Sequence, residues 1–192
     1  MQRQFIAAVA GSAGSHQRLL EFFDHTPHDD VSYVILQHLP ATWESQLLLI
    51  LSRHAKLAVQ EIRHGMVIRK DTIYISPPGK YVTIRHHVFT LAERTGRVHE
   101  TADMFMASLA ANSGKQAIGI VLEGTLTDGT EGLRAIRDAG GLTMVQDPAT
   151  CKFCSMPENA IAAGVVDKIA AIPSMPEIIQ QHINEVQSRL WA

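Results

Sequence analysis

A doubly wound α/β domain on a mostly parallel sheet, with an antiparallel hairpin addition, is the fold the sequence predicts. Short apolar runs rich in β-branched residues alternate along most of the chain with segments of helical period, which is the pattern of successive βα units. Residues 67–91 break that alternation with four short strand-like runs separated only by turn residues, as hairpins do. Composition agrees: 46% hydrophobic and 19% charged residues are globular values, and 192 residues bury roughly 70% of the surface exposed when unfolded. One domain over residues 1–192 is therefore expected.

Residues 5–10 are the first strand-like run. Gly11, Ser12, Ala13, Gly14 and Ser15 follow as a turn, and Leu19, Leu20, Phe22 and Phe23 mark the apolar face of the next helix. Residues 31–36 form a second run, ending at Gln37, His38, Leu39 and Pro40, where proline discourages continuation of a ladder. A helix is expected over 42–51 with Thr42 as its cap. Residues 67–68, 72–75, 81–84 and 88–91 read as short strands of the hairpin addition. Beyond Gly96 the alternation resumes, with helix 102–111, strand 117–122, helix 129–139, strand 142–146, a short helix after Pro157 and strand 165–169. Ser174 and Glu177 have capping-box spacing and Pro176 suits a first turn, so a helix over 176–190 closes the chain.

Several functional classes are disfavoured at once. Lys and Arg number 17 against 19 Asp and Glu, a net charge of −2, which offers no basic face for nucleic-acid phosphates. No apolar run approaches the ~18 residues of a membrane span, and the N-terminus lacks a secretory apolar stretch, so a cytoplasmic protein without membrane insertion is expected. Cys151 and Cys154 form a C-x-x-C, yet the histidines supply no compact second pair, so no metal is expected and two loop thiols are the default. Gly11 and Gly14 do not complete G-x-G-x-x-G, and no acidic residue ends the second strand, so no dinucleotide cofactor is expected.

In open α/β sheets ligands lie at the carboxyl ends of strands. Three such ends carry Ser12, His38 and the segment from Glu123 to Gly129 that includes Asp128. A serine, a histidine and an aspartate are the parts of an acyl-transfer triad. Each residue also has a plain structural role open to it: Ser12 and Asp128 as helix caps, His38 as a loop histidine.

Residues 9–15, 34–40 and 128–133, together with Gly140-Gly141, Gln146-Asp147 and residues 156–161, resemble the catalytic domain of the chemotaxis protein-glutamate methylesterases of the CheB type. The resemblance runs from about Phe5 to Ile179, with the motifs in the family's order. It is strongest to the form found joined to receptor methyltransferases, judging by Gly124-Thr125 and the Pro77-Pro78 segment. The resemblance implies a serine hydrolase that removes methyl groups from glutamate γ-methyl esters of chemoreceptors and also deamidates receptor glutamines. It implies no cofactor. Carried over residue by residue, Ser12 is the nucleophile, His38 the general base and Asp128 its orienting carboxylate. The backbone N–H groups of Ala13 and Thr125 are the oxyanion candidates, and Gly14, Met156 and Pro157 the substrate-binding ones. The implied partners are the cytoplasmic helices of methyl-accepting receptors, with a separate regulator or fused domains also to be expected. The alternative is a relative of little activity that binds receptors or a signalling partner. Typical members carry a phosphorylatable receiver domain ahead of this one; with the first strand at Phe5, none is expected within these 192 residues.

Two departures from the family pattern fall in one loop. Leu126 stands where the family commonly has glycine, and a positive φ there would strain leucine by about 1 kcal/mol or more. Glu123 adds a carboxylate close in sequence to Asp128, and if the two met in space, repulsion would favour protonating one of them.

Overall fold

The structure is a computed structural model and describes residues 4–37, 41–95 and 100–188, with the backbone alone for 41–45. Seven strands form one sheet: β1 (Ile6–Gly11), β2 (Ser32–Gln37), β3 (Ala58–Glu61), β4 (Thr72–Ile75), β7 (Ala117–Val121), β8 (Leu142–Gln146) and β9 (Lys168–Ala170). Their spatial order is β3-β4-β2-β1-β7-β8-β9, and every pairing is parallel. From β1 the chain passes to β2, then to the edge strand β3, steps back to place β4 between β3 and β2, and later places β7 on the other flank of β1. The reversal of strand order thus falls between β1 and β7, the place where such sheets open a crevice at their carboxyl ends.

All residues of β1, β2, β7 and β8 are buried, which is why these strands read as continuous apolar runs without alternation. Successive residues of β1 serve opposite faces. Ala7 and Val9 pack with Leu19, Phe22 and Phe23 of α1 (Ser15–His25), Leu47 and Leu51 of α2 (Ala41–His54), and Met175, Ile179 and Ile183 of α6 (Met175–Ser188). Ile6, Ala8 and Ala10 pack on the other face with Phe105, Met106 and Leu109 of α3 (Thr101–Ser113), Leu133 and Ile136 of α4 (Thr130–Asp138), and Met156 and Ala160 of α5 (Ser155–Ala162).

The middle of the chain differs from its sequence-based reading. Residues 72–75 are β4, a buried parallel strand beside β2, rather than part of a hairpin. The antiparallel pair consists of β5 (Lys80–Arg85) and β6 (Val88–Glu93), which form a sheet of their own instead of extending the main one. It packs through Val82, Ile84 and Phe89, whose ring lies 5.0 Å from Tyr74 and 6.4 Å from Phe105. Val67 contributes only a single bridge, to Val88. β3 has no counterpart in the sequence reading because it is an edge strand with three of four residues exposed, which leaves no hydrophobic pattern to see. Helix α2 already includes Ala41, so Thr42 lies inside it rather than capping it. No helix among the described residues is long and apolar enough to cross a membrane.

Candidate active site

Ser12 follows the last residue of β1 directly, and its N–H continues the ladder by donating to the Glu123 carbonyl at 3.2 Å. Helix α1 is capped at Gly14 without any side-chain hydrogen bond, so Ser12 does not act as its cap. The Ser12 carbonyl is gripped instead, accepting from Ser15 N at 3.2 Å and Ser15 Oγ at 2.7 Å. Gln37, at the end of β2, donates to that same Ser15 hydroxyl at 2.9 Å. A buried relay therefore runs from β2 through Ser15 to the backbone of Ser12, while the half-buried Ser12 hydroxyl has no partner among the described residues. The backbone N–H groups of Ala13 and Thr125 likewise donate to no acceptor among the described residues.

The wall facing Ser12 is Gly124. A Cβ there would sit 2.3 Å from Met156 Sδ and 2.9 Å from Ser12 Cβ, so only glycine lets the β7 end approach the serine this closely. Gly124 donates to the Phe153 carbonyl at 2.8 Å, and its own carbonyl accepts from Met156 N at 3.1 Å. Met156, 1% exposed, packs against Gly124, and Pro157 beside it in the chain is buried. Gly14 has φ +86° and is pressed from below, since a Cβ on it would meet Glu123 Oε1 at 2.7 Å.

Glu123 is 2% exposed and ties three segments together. Its N–H donates to Gln146 Oε1 at 2.9 Å, Lys152 N donates to its Oε2 at 2.6 Å, and Arg18 Nε lies 3.5 Å from its Oε1. The segment that grips it is the C-x-x-C loop: Cys151 and Cys154 are free thiols flanking Lys152 and Phe153, and burial pushes Cys151 up to about 12. An inert thiol of that kind fits a structural loop better than redox chemistry.

Asp128 is 1% exposed and does not cap the helix that follows it. Its two oxygens accept from Ala102 N and Asp103 N, each at 3.0 Å, so it caps α3 instead. Asp103 reciprocates: its Oδ1 accepts from Gly129 N at 2.9 Å and Gly132 N at 2.7 Å at the start of α4. The second carboxylate near Asp128 is thus Asp103 rather than Glu123. Burial, opposed by these backbone hydrogen bonds and reinforced by the charge of Asp128, raises the Asp103 carboxyl to about 6. His38 lies outside the described residues. Leu126 adopts φ +73°, the left-handed region in which leucine is strained, and 47% of its surface is exposed.

The described residues contain no group of three or more His, Cys, Asp or Glu side chains able to hold a metal ion. Among the described residues, the arrangement at the switch point is a Ser12 hydroxyl without a partner, the Ala13 and Thr125 N–H groups without acceptors, and a buried Asp128 that accepts from the N-terminal amides of α3. Chemically, that is a place to form and stabilise an oxyanion.

The family description CheB methylesterase matches residues 7–179. The chain belongs to the CheB methylesterase family. It is 30% identical over 181 residues to the protein-glutamate methylesterase/protein-glutamine glutaminase of Methylobacillus flagellatus, covering 91% of this chain and 51% of that relative. It is also 37% identical over 124 residues to an uncharacterised 104.1 kDa protein of Rhodobacter capsulatus, covering 64% of this chain and 13% of that one. The crystal structure of the Thermotoga maritima CheB methylesterase catalytic domain has the same fold, with a TM-score of 0.84 at 21% identity over 93% of this chain and 98% of that one. The chain spans about half the length of the curated methylesterases it matches.

Sequence reasoning missed Ser15, Gln37, Asp103 and Gln146, which hold the site without standing in it. The signals were faint. A polar residue ending a wholly apolar strand, as Gln37 and Gln146 do, is the one pattern that flags two of them.

Proposed function

We propose that this chain is a protein-glutamate methylesterase domain in which Ser12 attacks the γ-methyl ester of a receptor glutamate in the cytoplasm. The observation that carries the reading is that, among the described residues, the Ser12 hydroxyl at the β1/β7 switch point has no hydrogen-bond partner and the Ala13 and Thr125 N–H groups have no acceptor. His38 takes the Ser12 proton as general base, and Asp128 orients His38 and stabilises the imidazolium. The tetrahedral oxyanion is received by the N–H groups of Ala13 and Thr125, each such donor being worth about 3 kcal/mol of barrier. Methanol leaves with the proton held by His38, and water activated by the same histidine releases the glutamate and restores Ser12.

Gly14 keeps the mouth of the cleft open, while Met156 packs against Gly124 with Pro157 beside it in the chain. Glutamine deamidation uses the same acyl intermediate with ammonia as the leaving group, in keeping with the glutaminase part of the relatives' names. The reaction asks nothing of a metal or cofactor. The substrate is a methylated receptor helix.

The test is methanol release from methylated receptor membranes by wild type and Ser12→Ala in parallel. Release that depends on Ser12 supports the reading. A wild-type protein that releases nothing and is not labelled at Ser12 by a reactive-serine probe sinks it in favour of a receptor-binding module.

A further inference from the structure

Leu126 carries a conformational cost that its side chain does not repay in either hydrophobic core of the described residues. Its φ of +73° is the left-handed region that L side chains rarely adopt and that glycine or asparagine fills without penalty. The backbone is fastened there, since Asn159 Nδ2 of α5 donates to the Leu126 carbonyl at 2.9 Å. The side chain is not fastened: 47% of the residue is exposed, and it belongs to neither hydrophobic core. Backbone strain of this kind collects where a site needs a particular side chain in a particular place.

Leu126 belongs to the loop whose Gly124 packs on Ser12. Leu126 lies two residues beyond Gly124, whose missing Cβ is what lets it touch Ser12. A second exposed apolar side chain flanks the same glycine. Phe153 is 37% exposed, its carbonyl accepts from Gly124 N, and its ring edge lies 3.0 Å from the Cβ position of Gly14.

We propose that Leu126, together with Phe153, is a specificity determinant that selects ester glutamates carrying an apolar side chain one helical turn away. The proposal rests on the esterase reading above. On a helix, residues three and four apart share a face about 5–6 Å from one another, so an apolar neighbour of the bound ester comes to the lip of the cleft. Contact there uses binding energy remote from the reacting carbon to hold the ester against Ser12.

The experiment compares two helical peptides, each with a single glutamate γ-methyl ester and either leucine or serine at the positions three and four residues away. Methanol release gives kcat/KM for wild type, Ser12→Ala, Leu126→Gly and Leu126→Asn. Wild type is expected to favour the leucine peptide about ten-fold, a typical discrimination for a modest apolar contact. Both Leu126 variants are expected to bring that ratio close to one without lowering the thermal midpoint, because both residues suit a positive φ. Two results would overturn the proposal while leaving the esterase reading intact: a wild-type ratio near one with hydrolysis that requires Ser12, or a wild-type preference retained by both Leu126 variants. A fall in thermal midpoint with the ratio retained would make Leu126 a structural residue. No methanol from either peptide sinks the esterase reading and this proposal with it.

Discussion

The two edges of the parallel sheet solve the same chemical problem with different results. At the amino edge, Asp71 with φ +51° accepts from Asp29 N at 3.0 Å and Asp30 N at 3.1 Å. Asp29 accepts from Val31 N at 3.1 Å and from the Tyr33 hydroxyl at 2.5 Å, and Lys70 pairs with Asp30 at 2.9 Å. At the carboxyl edge, Asp128, Asp103 and Glu123 likewise accept backbone N–H groups. In both places carboxylates satisfy amides where the chain enters or leaves an element. Only the carboxyl edge adds the Ser12 hydroxyl and the Ala13 and Thr125 N–H groups with no acceptor among the described residues. Clustered carboxylates therefore do not distinguish the two edges; among the described residues, the unpaired hydroxyl and N–H groups at the switch point do.

Substitutions at the two edges should therefore separate activity from stability. The largest effect is expected from Ser12→Ala and from His38→Ala, each removing nearly all ester hydrolysis with an unchanged thermal melt. Members of a triad act as a unit, so the double variant should be scarcely worse than either single one. Near-wild-type turnover in both singles would show that the carboxyl edge has been misassigned. Asp128→Asn comes next, with turnover expected to fall on the order of 10⁴-fold, because an amide cannot stabilise imidazolium as a carboxylate does. Asparagine keeps one oxygen for the α3 amides, so far-UV circular dichroism should show the fold retained.

At the amino edge the pattern should invert. Asp71→Ala leaves two backbone N–H groups without their acceptor and should cost about 1–3 kcal/mol in urea unfolding, with hydrolysis per folded molecule unchanged. Asp71→Asn should recover most of the loss, since asparagine tolerates positive φ and keeps an acceptor. A large drop in turnover in either variant would mean that the edges are coupled.

The smallest effect concerns Asp103. Its carboxyl lies at about 6 in the folded protein against an ordinary value of 3.8. A pKa raised on folding favours the native state most below the unfolded value, and that contribution is lost as pH rises through about 6. Asp103→Asn should remove this pH dependence, making the variant relatively more stable at about pH 8 than at about pH 4. With Asp103 partly exposed, solvent screening keeps the difference to about 1 kcal/mol. Parallel urea titrations at the two pH values check it, and an unchanged slope of stability with pH would remove Asp103 from the account.

Much of the fold was legible because β1, β2, β7 and β8 are buried on both faces, and full burial writes itself as an unbroken apolar run. That Ser12 directly follows such a run was legible too, and so was the strain that a positive φ would place on Leu126. β3 left no such trace, being exposed. The parallel pairing of β4 was hidden as well, since a four-residue apolar run reads alike in a hairpin and in a sheet.

By itself, then, the sequence determined the buried strands and the order of the motifs, because burial and turn chemistry are local in the chain. Only the tertiary structure decided what each carboxylate does. Asp128 turns to α3, 26 residues back, rather than to the helix beside it, and Lys152 N reaches Glu123 across 29 residues. These partners meet because parallel strands deliver distant residues to one edge, and no local pattern carries the register that brings them together.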